Sequence, residues 1–377
     1  MSIMKIIGEN IKVLMERENM SMRRMAEVIN VSHPTMSKYV NGKQAIDSEK
    51  LYLISDYFHK NFDYFFTENH SEFSLMFRAD KPSANLQTID CNYMQSKIEE
   101  YIDLVGDTDA KYIPPTYSIN IVDNKLSVEN ELAIEKIAYE QRRLFGIESS
   151  IPINYYTCLS NIGLNILSYQ LDNENLFGAS SYSEESGSFI FVNTLHTISE
   201  ERQIFSLIHE LGHLIFHKNE YMSIEHDPFY EKTRGNIKEK VVDTFAGYFL
   251  LPRDLVQKYI SERNGKVKLN EMKNYFKVSL QALYISLHKY KMISDEKYRN
   301  FWKEINQSGT KKIEHQPLDK ESVIFKNEKL VGILRNLYLE DEISVNKISE
   351  ILEISTIESR HLVKNWGDSL GNFEELI

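Results

Sequence analysis

Apolar residues recur at helical spacing from the start of the chain. Ile11, Leu14 and Met15 are followed, after a polar break, by Met25, Val28 and Ile29. That spacing predicts amphipathic helices rather than strands. Within "SMRRMAEVINVSHPTMSKYVNG" two short helices follow one another. Ser21 is placed to cap the first through its hydroxyl, "NVS" makes the turn, and Ser32 is placed to cap the second. Pro34 stands near the start of that second helix, where a missing N–H costs nothing, and Asn41-Gly42 ends it. "DSEKLYLISDYF" is predicted as a fourth helix opened by Asp47, and "NFDYFF" as a short fifth. Periodicity is lost over 69–93, which predicts a linker or an irregular connection. Helices are expected over 96–105 and 129–145, on either side of the Pro-Pro break in "KYIPPTY". From 151 to 192, the β-like runs "INILSYQL" and "SFIFV" flank the turn-prone "DNENLFGASSYSEESG". Beyond Ile198 the pattern is mainly helical, with a linker expected over 306–320. The expected fold class is mainly α with a small β-sheet: a five-helix N-terminal bundle, an α+β central domain and a helical C-terminal region.

Composition narrows the class. At 377 residues, with 42% hydrophobic and 26% charged residues, the chain can hold two or three packed domains. No apolar run approaches the roughly 18 residues of a membrane span, so no membrane partner is expected. "MSIMKIIGENIKVLM" has no uninterrupted apolar core and no small-residue cleavage site, so no export signal is expected. Cys91 and Cys158 are far apart and form no C-x-x-C pair, which fits reduced thiols and a cytoplasmic location. The net charge of −11 is uneven: nine basic and nine acidic residues balance through His70, leaving 35 basic against 46 acidic beyond it. An acidic body repels phosphate backbones. Nucleic-acid contact is therefore expected only near the N-terminus.

The candidate chemistry lies in "LIHELGHLIFH", residues 207–217. On a helix, residues four apart differ by about 40° in azimuth, so His209 and His213 project from one face and can hold one ion. Glu210, about 60° round from His213, can reach a water on that ion without ligating it. Two neutral imidazoles beside a carboxylate that takes the water's proton is the working logic of zinc-dependent hydrolysis. Downstream, Glu239 and Asp243 stand four apart on a second apolar-striped stretch, "IKEKVVDTFAGYFLLP". One of the two carboxylates can complete a zinc site; the other can accept a hydrogen bond from a ligand histidine. His217 is expected to cap the helix, and His196 and His226 to lie on the surface. Tyr221, Tyr230 and Tyr248 are candidates to stabilise a transition state, with nothing to choose among them.

The spacing is similar to that of gluzincins, and the span "RQIFSLIHELGHLIFH…EKVVDTFAGYFLLP" resembles the ImmA/IrrE family of zinc metallopeptidases. The resemblance rests on Arg202, Phe205, His209, Glu210, Leu211, Gly212, His213, Glu239, Phe245, Ala246, Leu250, Leu251 and Pro252, and covers about 134–292. It implies a Zn2+ cofactor held by His209, His213 and Glu239, with Glu210 as the catalytic base and Asp243 orienting a ligand from behind. The family usually carries Ala-Asn where this chain has Val242-Asp243; aspartate keeps the acceptor. The F-I-F-V run is expected at the sheet edge beside the cleft, where zincins take a peptide by strand addition.

The N-terminal module resembles the XRE/Cro-type helix-turn-helix through Met25-Ala26, the turn at Val31-Ser32, and Ser37, Lys38, Tyr39 and Asn41-Gly42. Between Ser21 and Lys43 it carries Arg23, Arg24, Lys38 and Lys43 against Glu27 alone. Candidate DNA contacts are Arg23, Arg24, Ser32, His33, Thr35, Ser37, Lys38 and Lys43. The resemblance implies double-stranded DNA as a partner and a homodimer on two half-sites. The tail pattern "DEISVNKISEILEISTIESRHLVKNWG" also reads helix-turn-helix, but has few basic residues and fits a packing or regulatory role. The expected domains are a helix-turn-helix domain at 1–68, a connector at 69–128, a zincin-like peptidase domain at 129–305 and a helical, HTH-like region at 306–377. The functional expectation is a DNA-binding zinc endopeptidase that cleaves a protein substrate, by resemblance a transcriptional repressor. The competing expectation is a non-enzymatic regulator or antitoxin, using the zincin body to bind a partner such as a toxin.

Overall fold

The computed structural model describes residues 2–17, 20–58, 62–66, 75–79, 88–106, 111–221, 237–308, 314 and 316–374. The chain divides into two compact units, Met1–Glu72 and Phe73–Ile377. Among the described residues, no helix is long and apolar enough to cross a membrane.

The first unit contains α1 (Ile3–Arg17), α2 (Met22–Val28), α3 (His33–Val40) and α4 (Ser48–Tyr57). Each short helix starts on the side chain the sequence marks for it. Ser21 accepts from the N–H of Arg24, Ser32 from that of Thr35, and Asp47 from that of Lys50 at 2.8 Å. The expected fifth helix is a single 3-10 turn, Asp63–Phe65. It is tied to α1 by Asn10, whose amide donates to the Tyr64 carbonyl at 3.0 Å. Ile11, Met25, Ile29, Met36, Ile54 and Phe65 form a fully buried core.

The second unit is built on a four-stranded sheet. In chain order it has β1 (Leu75–Ala79), α5 (Thr88–Val105), α6 (Val128–Leu144), α7 (Tyr155–Ser160), β2 (Asn165–Tyr169), β3 (Leu176–Ser183) and β4 (Gly187–Asn193). There follow α8 (Glu200–Phe216), α9 (Lys218–Tyr221), α10 (Ile237–Leu250), α11 (Arg253–Ser261), α12 (Leu269–Phe276), α13 (Leu280–Lys289) and α14 (Asp295–Ser308). The chain closes with α15 (Val323–Lys326), α16 (Glu328–Leu339), α17 (Val345–Leu352) and α18 (Thr356–Glu374). The strand order is β1-β3-β4-β2, with only the β2–β4 pair parallel.

Both faces of the sheet are covered. Ile190 and Val192 of β4 join one core with Leu207, Leu211 and Leu214 of α8 and Phe245 and Phe249 of α10. Phe189 and Phe191 join a second core with Met94 and Ile98 of α5, Leu334 of α16 and Ile351 of α17. A strand buried on both faces reads as a continuous apolar run, which is what F-I-F-V is. It is therefore an interior strand, between β3 and β2, and not the expected edge.

Two further expectations change. The stretch read as irregular up to 93 contains β1 and the first turns of α5, whose buried residues Cys91, Met94, Ile98 and Tyr101 recur at helical spacing. The span expected to be a connector thus contributes directly to the second core. The stretch read as turn-prone holds β3, seven of whose eight residues are buried. The C-terminal helices pack on the same face as α5: Tyr93 donates to Glu353 at 2.7 Å, and Lys97 pairs with Glu353 at 2.9 Å. Asn327 caps the outer edge of β2, accepting from the Ser168 N–H at 2.8 Å and donating to the Ser168 carbonyl at 2.9 Å.

Candidate metal centre

α8 begins at Ser199, whose hydroxyl accepts from the Arg202 N–H, and runs beneath β3 and β4. Its His209, Glu210 and His213 are completely buried. α10 crosses it closely because residue 212 is glycine. A Cβ there would stand 3.0 Å from the Cβ of Val242 and 3.2 Å from the ring of Phe245. Arg142 of α6 steadies the far end of α10 by donating to the Phe249 carbonyl at 2.7 Å. That crossing carries Glu239 to the histidine pair.

Nε2 of His209 and Nε2 of His213 are 3.1 Å apart. The Glu239 carboxylate meets them with one oxygen each, both at 3.3 Å. These three side chains form a group able to hold a metal ion. The donor set fits zinc: ligands about 2.0–2.1 Å from a tetrahedral ion lie about 3.3 Å from one another. Two imidazole lone pairs and a carboxylate this close repel, unless a cation or a proton lies among them.

The outer nitrogens are held from behind. His209 Nδ1 lies 2.9 Å from Asp243 Oδ1, one turn along α10 from Glu239. His213 Nδ1 lies 2.9 Å from Nδ1 of His217, which caps α8 with its own backbone N–H bonded to the His213 carbonyl. His217 thus occupies the cap expected of it and also touches a candidate ligand. Spacing alone shows that contact only once His217 is granted the position four residues beyond His213.

Glu210 sits under β3. Ser180 donates to Glu210 Oε2 at 2.5 Å, and the Ser180 and Tyr221 hydroxyls are 2.8 Å apart. With Ser180 donating to the carboxylate, Tyr221 donates to Ser180. Burial and the charge of Glu210 hold the Tyr221 phenol well above its usual pKa, so it remains a donor. Glu210 Oε1 is buried with no hydrogen-bond partner among the described residues. Gly178 leaves space for this carboxylate: a Cβ there would lie 3.0 Å from the Phe191 carbonyl oxygen and 3.2 Å from Glu210 Cγ. Ser180 and Gly178 were hidden in the stretch read as a turn. A cavity of about 590 Å3 opens beside Asp243, lined among others by Phe177, Arg202, Phe205, Tyr248 and Ile285. Of the three tyrosine candidates, Tyr221 reaches Ser180, Tyr248 lines this cavity, and Tyr230 lies outside the described residues. His196 is exposed, and His226 lies outside the described residues.

Residues 160–288 match the IrrE N-terminal-like domain. The IrrE-like span runs from the end of α7 into α13 and contains every side chain of this centre. Residues 11–65 match a helix-turn-helix model, the XRE-type module that the sequence resembles. No curated protein matches the chain.

In the helix-turn-helix unit, Arg23 and Arg24 on α2, Ser32 and Lys43 flanking α3, and His33 and Lys38 on α3 are exposed, while Thr35 and Ser37 are half-buried. Three candidate contacts, Ser32, Thr35 and Ser37, already have local hydrogen bonds. The Ser32 hydroxyl caps α3 and lies 2.8 Å from the Thr35 hydroxyl, and Ser37 is held by the Asn41 amide. Among the described residues, Arg23, Arg24, His33, Lys38 and Lys43 are exposed without such a local hydrogen bond.

Proposed function

We propose that this chain is a DNA-binding zinc endopeptidase that cleaves a protein regulator. The observation that carries the reading is the position of Glu210, buried beside the two-histidine, one-carboxylate group with one oxygen fixed and the other unengaged. His209 and His213 through Nε2, and Glu239 through its carboxylate, would hold the ion. Bound there, zinc supplies Lewis acidity that brings a water's pKa toward about 7 and polarises the scissile carbonyl.

The remaining work belongs to side chains. Asp243 accepts the His209 Nδ1–H and keeps the Nε2 lone pair facing the space shared with His213 Nε2 and the Glu239 carboxylate, where the ion would be held. His213 donates Nδ1–H to His217 in the same way. Ser180, supported by Tyr221, holds Glu210 Oε2 and so fixes where Oε1 points. Oε1 takes the proton of the attacking water and returns it to the departing amide nitrogen. The cavity beside Asp243 gives a substrate side chain room. The helix-turn-helix unit would engage double-stranded DNA through α3, as a homodimer on two half-sites. By its resemblance to ImmA/IrrE peptidases, the substrate is a transcriptional repressor, and the setting is the cytoplasm.

The test is Glu210→Gln. The variant is expected to carry the same zinc by metal analysis, while new protein N-termini appear in cells carrying the wild type and not in cells carrying the variant. Equal sets of new termini would remove Glu210 from the reaction and the peptidase reading with it.

A further inference from the structure

β3 and β4, with β1 beside them, are the strands that contact α8, and β3 is the one that reaches the candidate centre. Gly178 and Ser180 bring its backbone to Glu210. The free edge of such a strand is where a peptide joins by backbone hydrogen bonds, each N–H on that edge donating to, and each C=O accepting from, one ladder partner. In this chain the edge is taken. Residues 75–79 pair antiparallel with it, Met76 opposite Ser180, Phe77 opposite Ala179 and Arg78 opposite Gly178. α8 approaches this same strand. The pairing is five residues long and slips between Arg78 and Ala79.

We infer that residues 75–79 occupy the strand position that a substrate peptide takes on β3, so that the chain blocks its own cleft until this segment leaves. The inference rests on the peptidase reading for its purpose, and on the register alone for its geometry. A substrate strand and β1 cannot both use the β3 edge between Gly178 and Ser181. A short ladder with a register slip gives β1 few bonds to lose. The other sheet edge is not available in the same way, because Asn327 engages the backbone of Ser168 there.

The test measures occupancy without cleavage. A fluorescein-labelled peptide of residues 73–81, FSLMFRADK, is titrated into the full zinc-loaded chain carrying Glu210→Gln. It is titrated likewise into that chain with Met76→Pro and Phe77→Pro added. Adjacent residues of a strand point their N–H groups to opposite edges, so this pair removes a bond to β3 whichever way the strand faces. A third protein carries Leu75→Gly, Phe77→Gly and Ala79→Gly instead. Both altered chains are expected to bind the peptide at least tenfold more tightly than the parent, with unchanged zinc content and circular dichroism. Equal affinity in all three overturns the inference. So does failure of both altered chains to fold, because a strand the fold requires is not one that yields to substrate. If the peptide binds as expected but no protein is cut once Glu210 is restored, the peptidase reading falls and the occupied edge stands.

Discussion

Asp243 Oδ1 lies 2.9 Å from Nδ1 of His209, and on the proposed reading that contact leaves Nε2 as the nitrogen that faces the candidate metal group. Spacing places both residues, since H-E-x-x-H and a carboxylate pair four apart each fall on one helix face. Their partnership is a tertiary fact, set by the α8–α10 crossing that Gly212 permits. Asp243→Leu removes the acceptor and is expected to weaken zinc binding by about 10–100-fold in competition with a chromogenic chelator. Asp243→Asn keeps a carbonyl oxygen for the same N–H and is expected to retain most of the affinity. If leucine and asparagine weaken binding equally, the aspartate acts through its charge and not as an acceptor. The fixing of Glu210 was less legible. Ser180 and Tyr221 are 41 positions apart and meet only after β3 and α9 have formed, so no local pattern joins them to Glu210.

At the level of elements, the strands show what periodicity does and does not transmit. Alternation reports a strand with one wet face, but β3 and β4 are covered on both. β4 still reads as a strand because Phe, Ile and Val favour one. β3 carries Gly178, Ala179, Ser180 and Ser181, a run of small residues that reads like a turn, and here Gly178 and Ser180, on the face towards α8, let that helix lie close beneath. β1 is specified by its pairing with β3 and by no strong pattern of its own. Helices with a single buried stripe, such as α17 with Ile348, Ile351 and Leu352, were legible for the opposite reason.

The join between α8 and the C-terminal helices was not legible, because it is ionic. Lys326 pairs with Glu200 at 2.6 Å, both nearly fully buried, and also donates to Gln203 at 2.6 Å. Burial pulls the Lys326 pKa below its usual value even beside that carboxylate. Lys326→Met would leave the Glu200 charge without its cation, and is expected to destabilise the larger unit by about 3–5 kcal/mol. Adding Glu200→Gln should recover a substantial part of that loss, since it removes the uncompensated charge. Urea unfolding of the single and double variants checks both; a single variant as stable as the parent would show that Glu200 needs no cation there.

Over the whole molecule the charge is divided as the fold is. The entire −11 lies beyond His70, and the unit ending at Glu72 carries its own core. On the proposed reading, DNA affinity depends on a few cations: Lys38 is exposed on α3, and Arg23, Arg24 and Lys43 are exposed nearby. Each phosphate neutralised releases counterions, so the logarithm of the binding constant falls with the logarithm of salt by about 0.9 per contact. Lys38→Ala in the full chain is expected to lower that slope by about 1 and to weaken operator and unrelated duplex alike. Removing zinc with a chelator should leave the slope unchanged, because the candidate metal group and the candidate DNA contacts lie in different units of the chain. Fluorescence anisotropy on a labelled duplex across a salt series reads both. A slope unaltered by Lys38→Ala would take α3 off the phosphates, and a slope that moves with zinc would mean that the two units do not act independently on DNA.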